Sequence, residues 1–205
     1  MADSDRAAGT SVSLTLQDRP RPERADAARN RRILLDAAAR ILRDDGVAAL
    51  SMETVAAAAG VGIGTVYRRF GDRSGLAYAL LDQHERTFQA GFMFGAPPLG
   101  PGAPAADRLH AFLHRCVDLL SEQAEILAMA ESSSQHYQTG AYGVRRRHIS
   151  MLLDEINPEL DATYLADALL ATLSGRLFLH QNTDDGMSAD RIKSGLDQLL
   201  RGITG

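Results

Sequence analysis

Thr65, Tyr67, Arg68 and Arg69 place two hydroxyls and two guanidinium groups within five consecutive residues. Hydroxyl and guanidinium donors are the groups that hydrogen-bond phosphate oxygens, and a guanidinium can also read guanine O6 and N7. They lie in the stretch Ser51–Phe70, SMETVAAAAGVGIGTVYRRF. Ser51 is a good N-cap, since its hydroxyl accepts from a free backbone N–H one turn on. Met52, Val55, Ala56 and Ala59 follow at helical spacing. Gly60 suits the left-handed position that ends a helix, and Val61 is an apolar plug in the turn. A second helix is predicted from Gly62 to Phe70. Val66 and Phe70 face inward, Thr65, Arg68 and Arg69 outward, and Tyr67 sits on the shoulder. Two short helices about a tight turn, with this outer face, describe a helix-turn-helix reader of DNA.

The rest of the chain must position that motif. A helix over 26–45 carries the apolar stripe Leu34, Ala37, Ala38, Ile41 and Leu42. Gly46 stops it, and Leu50 before Ser51 suits a hydrophobic staple. Gly71-Asp72 breaks the chain, and a helix from 72–74 to 91 carries Leu76, Leu80, Leu81, His84 and Phe88 on one face. It starts in the head and ends in the body, so it is the natural lever between them. Prolines 97, 98, 101 and 104 exclude regular helix over most of 91–107. Beyond lie predicted helices over 105–120, 122–136 (capped by Ser121), 143–156, 160–180 and 188–201. Small residues Ala168, Ala171, Ser174 and Gly175 leave room for a close neighbour. No segment has strand periodicity, so the expected fold is all-α with about nine helices. It divides into a tail (1–24), a helix-turn-helix domain (25–72) and a C-terminal domain (73–205).

The tail, rich in Asp, Ser, Gly, Pro and Arg, is read as disordered. Two readings of it stand: a solvated tail, or an arm reaching the minor groove beside the main site. Composition sets further bounds. The chain has 205 residues, a formal charge of −4 and one cysteine, Cys116. No intrachain disulfide is possible, and the expected compartment is the reducing cytoplasm. No signal peptide and no membrane-spanning run is expected. Residues 24–75 hold nine arginines against six acids, while 76–205 hold ten bases against sixteen acids. A basic module on an acidic body suits a DNA-binding head on a body with another task.

The pattern ILLDAAARILRDDGVAAL followed by METVAAAAGVGIGTVYRRFGDRSGL resembles the tetracycline-repressor (TetR) family of bacterial regulators over about 50 residues, Asp26 to Leu76. Its most specific part is Gly64-Thr65-Val66-Tyr67, two polar residues and Phe70. The resemblance implies that Thr65 and Tyr67 hydrogen-bond phosphates and that Gly64 lets the backbone approach the groove. It further implies that Arg73, at the start of the fourth helix, contacts a phosphate, with Thr54 a further candidate. Arg68 and Arg69 stand where the family often has polar residues. Gly62 replaces the family's frequent capping residue, a loss of only a few tenths of a kcal/mol. Ile63 occupies a variable position that often reads a base. It either touches a thymine methyl or turns in toward Val66.

The resemblance also implies a homodimer on a near-palindromic double-stranded DNA operator, most simply as a repressor. Leu165, Leu169, Leu173, Leu177, Leu196 and Leu199 fit its dimer elements, or equally an intramolecular seam. Finally it implies a cavity for a small-molecule effector, with Phe88, Phe92, His110, His114, Met129, Tyr142, Met151 and Phe178 as candidates for its wall or, alternatively, for plain core. His110 and His114 share a helix face. Cys116 lies about 160° around the helix and does not complete a zinc set, so no metal and no cofactor are expected. Arg145-Arg146-Arg147-His148 reads as an anion site or a solvated face. No nucleophile elbow and no phosphate loop after a strand are present, so the chain is not expected to be an enzyme. The alternative function is a helical ligand-sequestering or adaptor protein that has kept the head but lost DNA binding.

Overall fold

Ser51 and Gly60 set the ends of one short helix by local capping. The Ser51 hydroxyl accepts from the Thr54 N–H at 3.1 Å, and the Thr54 hydroxyl accepts from the Ser51 N–H at 2.9 Å. Gly60 has φ 67° and ψ 32°, the left-handed conformation that glycine adopts without a Cβ penalty. In the computed structural model, which describes residues 22–133, 136–137 and 140–204, this helix is α2 (Met52–Ala59). α1 (Pro22–Asp45) precedes it across Gly46 and one 3-10 turn, Val47–Ala49. α3 (Ile63–Phe70) and α4 (Arg73–Phe94) follow. Residues 22–24 are therefore helical rather than part of an extended tail, with proline at a first helical position that suits it. The remainder of the predicted tail lies outside the described residues.

Leu34, Ala38, Leu50, Val55, Val66, Leu76 and Ala77 form the buried core of the head. Ile126, Met129 and Ala130 close this core from below. They belong to α5 (Ala105–Ala130), so the head rests on the end of a body helix. The Ser74 hydroxyl donates to the Ala130 carbonyl at 2.6 Å in the buried joint.

α6 (Gly140–Ile156), α7 (Ala162–Thr172), α8 (Gly175–Leu179) and α9 (Ala189–Thr204) complete the body. Its core packs Phe88, Phe92 and Phe112 with ring centroids 5.0–5.1 Å apart. Leu109, Leu113, Val117, Ile149 and Leu153 surround them with no exposed surface. Among the described residues every regular element is helical, and no helix is long and apolar enough to cross a membrane.

Two predicted boundaries differ. The helices expected over 105–120 and 122–136 are one, which ends at Ala130. Only Gln123 departs from helical geometry (φ −144°, ψ 20°). Ser121 does not cap, because its hydroxyl bonds back to the Val117 carbonyl at 3.0 Å. Conversely, the helix expected over 160–180 breaks at Leu173–Ser174, where Ser174 caps α8. α8 then widens into a π turn, His180–Asp184. Gly175 is the small residue that permits a close neighbour. A Cβ there would lie 2.6 Å from the Ala128 nitrogen and 2.8 Å from the Ala124 carbonyl of α5.

Candidate functional site

α3 buries Val66 completely and turns its other face to solvent. That face carries Gly62, Ile63, Gly64, Thr65, Tyr67 and Arg68. Ile63 is 42% exposed, so it turns outward rather than toward Val66. Tyr67 is 45% exposed. Nothing lies within 4 Å of a Cβ added at Gly62 or Gly64, so open space stands in front of the helix start. Arg68 extends beside the Thr65 hydroxyl at 3.4 Å. Donors for phosphate oxygens thus flank an apolar side chain that suits a thymine methyl.

Three of the predicted DNA-binding residues also make contacts within the head. The Thr54 hydroxyl has one proton, directed at the Ala49 carbonyl at 2.9 Å, while the same oxygen caps Ser51. It has no proton left for a phosphate. Arg69 reaches back to the Ala27 carbonyl and braces α3 against α1. Arg73 donates from Nε to the Leu50 carbonyl at 2.7 Å and from a terminal nitrogen to the Val47 carbonyl at 2.8 Å. These carbonyls belong to the turn before α2, where regular helix bonding is interrupted. Arg73 therefore ties the start of α4 to the head. Arg73→Ala is expected to lower stability by about 1–2 kcal/mol, the range of partly solvated charged hydrogen bonds. A urea titration of the full chain checks this, and an unchanged midpoint would rule out the tie.

Below the head, α4, α5, α6 and α7 enclose a cavity of about 440 Å³. Glu85 on α4 and Arg145 on α6 meet across it in a two-point ion pair, Arg145 Nε lying 3.3 Å from Oε1. Their side chains are 15% and 19% exposed. The guanidinium carbon also stands 5.1 Å from the Phe88 ring centroid, a cation–π distance. Glu131 accepts the Gly175 N–H at 2.9 Å. Burial pushes its carboxyl up to about 7, against the pull of that bond and of Arg145 and Arg176. Burial also pushes the Cys116 thiol up to about 12, so it lines the cavity as an inert apolar group. Tyr78 bonds through its hydroxyl to His136 Nδ1, and burial, then Arg145, holds that imidazole below its ordinary range. A wider depression of about 820 Å³ adjoins through Glu131, His136 and Tyr142. On its wall Asp167 accepts the Tyr142 hydroxyl and Arg146 Nε, each at 2.7 Å.

Of the predicted cavity residues, Tyr142 alone lines this space. Phe88, Phe92, Met129 and Phe178 are buried core. Met151 is 58% exposed, and His110 and His114 face Asp197 on α9. The predicted aromatic residues mostly fill space, whereas the cavity wall is largely aliphatic (Leu81, Leu119, Leu120, Leu127, Leu170) with a few polar groups such as Glu85, Glu131 and Arg145 set into it. The basic run 145–148 was the available signal. At about 100° per residue its members diverge: Arg145 enters the cavity, Arg146 pairs with Asp167, Arg147 is exposed and His148 is buried. Among the expected dimer residues, Leu169, Leu173 and Leu196 are 3–6% exposed within one chain. They form the intramolecular seam, which leaves them no surface for a second copy. Leu199 is 49% exposed, while Leu165 and Leu177 are half-buried.

The family model described as "Bacterial regulatory proteins, tetR family" matches residues 34–80, which span α1 to the first turns of α4. An HTH-type transcriptional regulator of Staphylococcus aureus (strain bovine RF122 / ET3-1) is 35% identical over 65 residues, 32% of this chain and 35% of the relative. One from strain USA300 is 37% identical over 60 residues, 29% of this chain and 32% of the relative. The chain thus spans about a third of the length of the curated relatives it matches. Among solved structures, a protein of unknown function from Rhodococcus sp. RHA1 superposes with a TM-score of 0.60 at 24% identity, over 86% of this chain and 96% of that one. NalD, the secondary repressor of the MexAB-OprM multidrug efflux pump in Pseudomonas aeruginosa, does so at 0.52 and 19%, over 86% and 95%. The multidrug binding protein EbrR, complexed with imidazole, does so at 0.50 and 24%, over 92% and 97%. At these identities the superpositions speak for the fold. The helix-turn-helix module, over residues 34–80, therefore matches the model of the tetR family of bacterial regulatory proteins, and the chain as a whole shares the all-helical fold of these solved structures.

Proposed function

We propose that this chain is a ligand-responsive transcriptional repressor of the cytoplasm that binds a near-palindromic operator as a homodimer. The α3 face of Ile63, Gly64, Thr65, Tyr67 and Arg68 enters the major groove. A small molecule entering the cavity below the head releases it. The observation that carries this reading is the path of α4. Its first residue, Arg73, is bonded to the carbonyls of Val47 and Leu50 in the head. Glu85, about 18 Å further along the helix, is bonded to Arg145 in the cavity wall. A molecule that competes for either member of that pair shifts α4, and with it the head. It weakens DNA binding only to the extent that it binds the shifted state more tightly. A single head of this size offers few base contacts, so a second copy is needed to reach regulatory affinity. Leu165, Leu177 and Leu199 retain surface for that contact.

Selection of genomic fragments by the purified protein at near-physiological salt tests the reading, with a Thr65→Ala/Tyr67→Ala double variant beside it. One near-palindrome should be enriched. The variant should bind it about 100-fold or more weakly, as expected for losing several phosphate hydrogen bonds across two heads, while its oligomeric state is unchanged. Failure to enrich any site, with no added mass in native mass spectrometry, would move the assignment to a ligand-sequestering protein.

A further inference from the structure

α5 and α9 pack antiparallel and meet along a polar stripe. Asp118 pairs with Lys193 at one level, and one turn along His110 and His114 meet Asp197. The sequence placed the two histidines on one helix face but offered no third ligand beside them. The third ligand comes from the other end of the body, 83 residues away. His114 Nε2 is 2.7 Å and His110 Nε2 3.1 Å from the same oxygen, Asp197 Oδ1. The three ligand atoms lie within 4.8 Å of one another.

We propose that His110, His114 and Asp197 form a site for a divalent transition-metal ion, open to solvent, that staples α9 to α5. Ligand bonds of about 2.0–2.2 Å in a tetrahedral site put neighbouring ligand atoms about 3.3–3.6 Å apart. The observed distances of 2.7 and 3.1 Å are therefore about 0.2–0.9 Å short, and rotation of the exposed His110 ring and the half-buried His114 and Asp197 side chains opens them. The two imidazole rings are 4.0 Å apart, centroid to centroid. A divalent ion takes a lone pair from each neutral ring and charge from the carboxylate. Imidazole and carboxylate ligands together suit zinc, copper or nickel rather than magnesium or calcium. His110 is half-exposed, which leaves a coordination position for water. The cluster shares no residue with the cavity wall, and the proposal is independent of DNA binding.

The test is zinc chloride competed against a chromogenic chelator, using the full chain at pH 7.5. One zinc per chain is expected. Asp197→Asn and His110→Gln should each weaken binding by at least about tenfold, since even outer partners of ligands cost that much. His180→Ala, which alters a separate histidine–carboxylate cluster with Asp184 and Asp185, should leave binding unchanged. Zinc should raise the Tm of the wild type and not that of Asp197→Asn. Comparing each variant with and without zinc removes any stability change due to the substitution itself. Equal zinc binding in all variants, loss only in His180→Ala, or no stoichiometric zinc in the wild type would each overturn the proposal.

Discussion

Glu85→Ala is expected to lower the unfolding free energy by about 3 kcal/mol, the lower part of the range for removing one partner of a buried ion pair. The cause is what remains. The Arg145 guanidinium would stay in a wall that is only a fifth exposed, over the Phe88 ring, with its carboxylate gone. The estimate sits low in the range because the cavity can admit water to the orphaned cation. Replacing both partners with apolar residues, Glu85→Leu with Arg145→Met, should recover most of the loss, since no charge is then stranded. Urea unfolding of the wild type, Glu85→Leu, Arg145→Met and the double variant measures it, with Glu85→Ala beside them. A single variant as stable as the wild type would show that the pair contributes nothing beyond its own desolvation. The same cycle bears on regulation. If the pair anchors α4, the double variant should fold well yet respond to effector differently.

The second expectation concerns pH, where a half-buried carboxyl and a buried imidazole oppose each other. Glu131 has its carboxyl raised from 4.5 to about 7 by burial. The folded chain therefore holds a proton that the unfolded chain has lost. This contribution is fully present below pH 4.5 and is gone by pH 7, a loss of about 3 kcal/mol. His148 is the reverse. Burial, with Arg108 adding to it, lowers its imidazole from 6.5 to about 4. Its ring lies tilted against Phe92 and Phe112, with centroids 4.4 and 5.0 Å apart, and its Nε2 has no hydrogen-bond partner among the described residues. Its contribution is present above pH 6.5 and is lost as the pH falls toward 4. After allowance for solvent screening that loss is about 2 kcal/mol. Between pH 4.5 and 6.5 the two slopes largely cancel, and substitution should expose each. Glu131→Gln keeps an acceptor for the Gly175 N–H. It should match the wild type near pH 4.5 and exceed its stability by about 2–3 kcal/mol at pH 7.5. His148→Leu should remove the loss on the acid side. Denaturant midpoints across pH 4.5–7.5 decide it, and parallel curves for all three proteins would contradict both assignments.

The head was legible because its determinants are local. A serine three residues before Thr54, a glycine at φ 67° and apolar residues at helical spacing act within a turn or two of themselves. The family resemblance lies in the same short stretch. The outward faces of Tyr67 and Arg68 follow from helix period once Val66 is inside. Even here, distant partners decided some roles. Arg69 and Arg73 look alike to a sequence reader, yet backbone carbonyls 42 and 23 residues away engage their guanidinium groups inside the head.

In the body, the helices were legible but the site was not. Periodicity marks an apolar face without saying what covers it, so Leu169, Leu173 and Leu196 suited a dimer seam as well as the intramolecular core they form. It also does not locate a break imposed from outside, such as the one beside Gly175, where α5 comes too close for a side chain. The cavity depends on four helices leaving a gap, and its ion pair joins residues 60 apart. The third ligand facing His110 and His114 comes from α9 in the same way. The sequence by itself determined which segments are helical and which short helix faces outward. Only tertiary structure decided which polar groups meet, because their meeting depends on how helix faces pack across the whole chain.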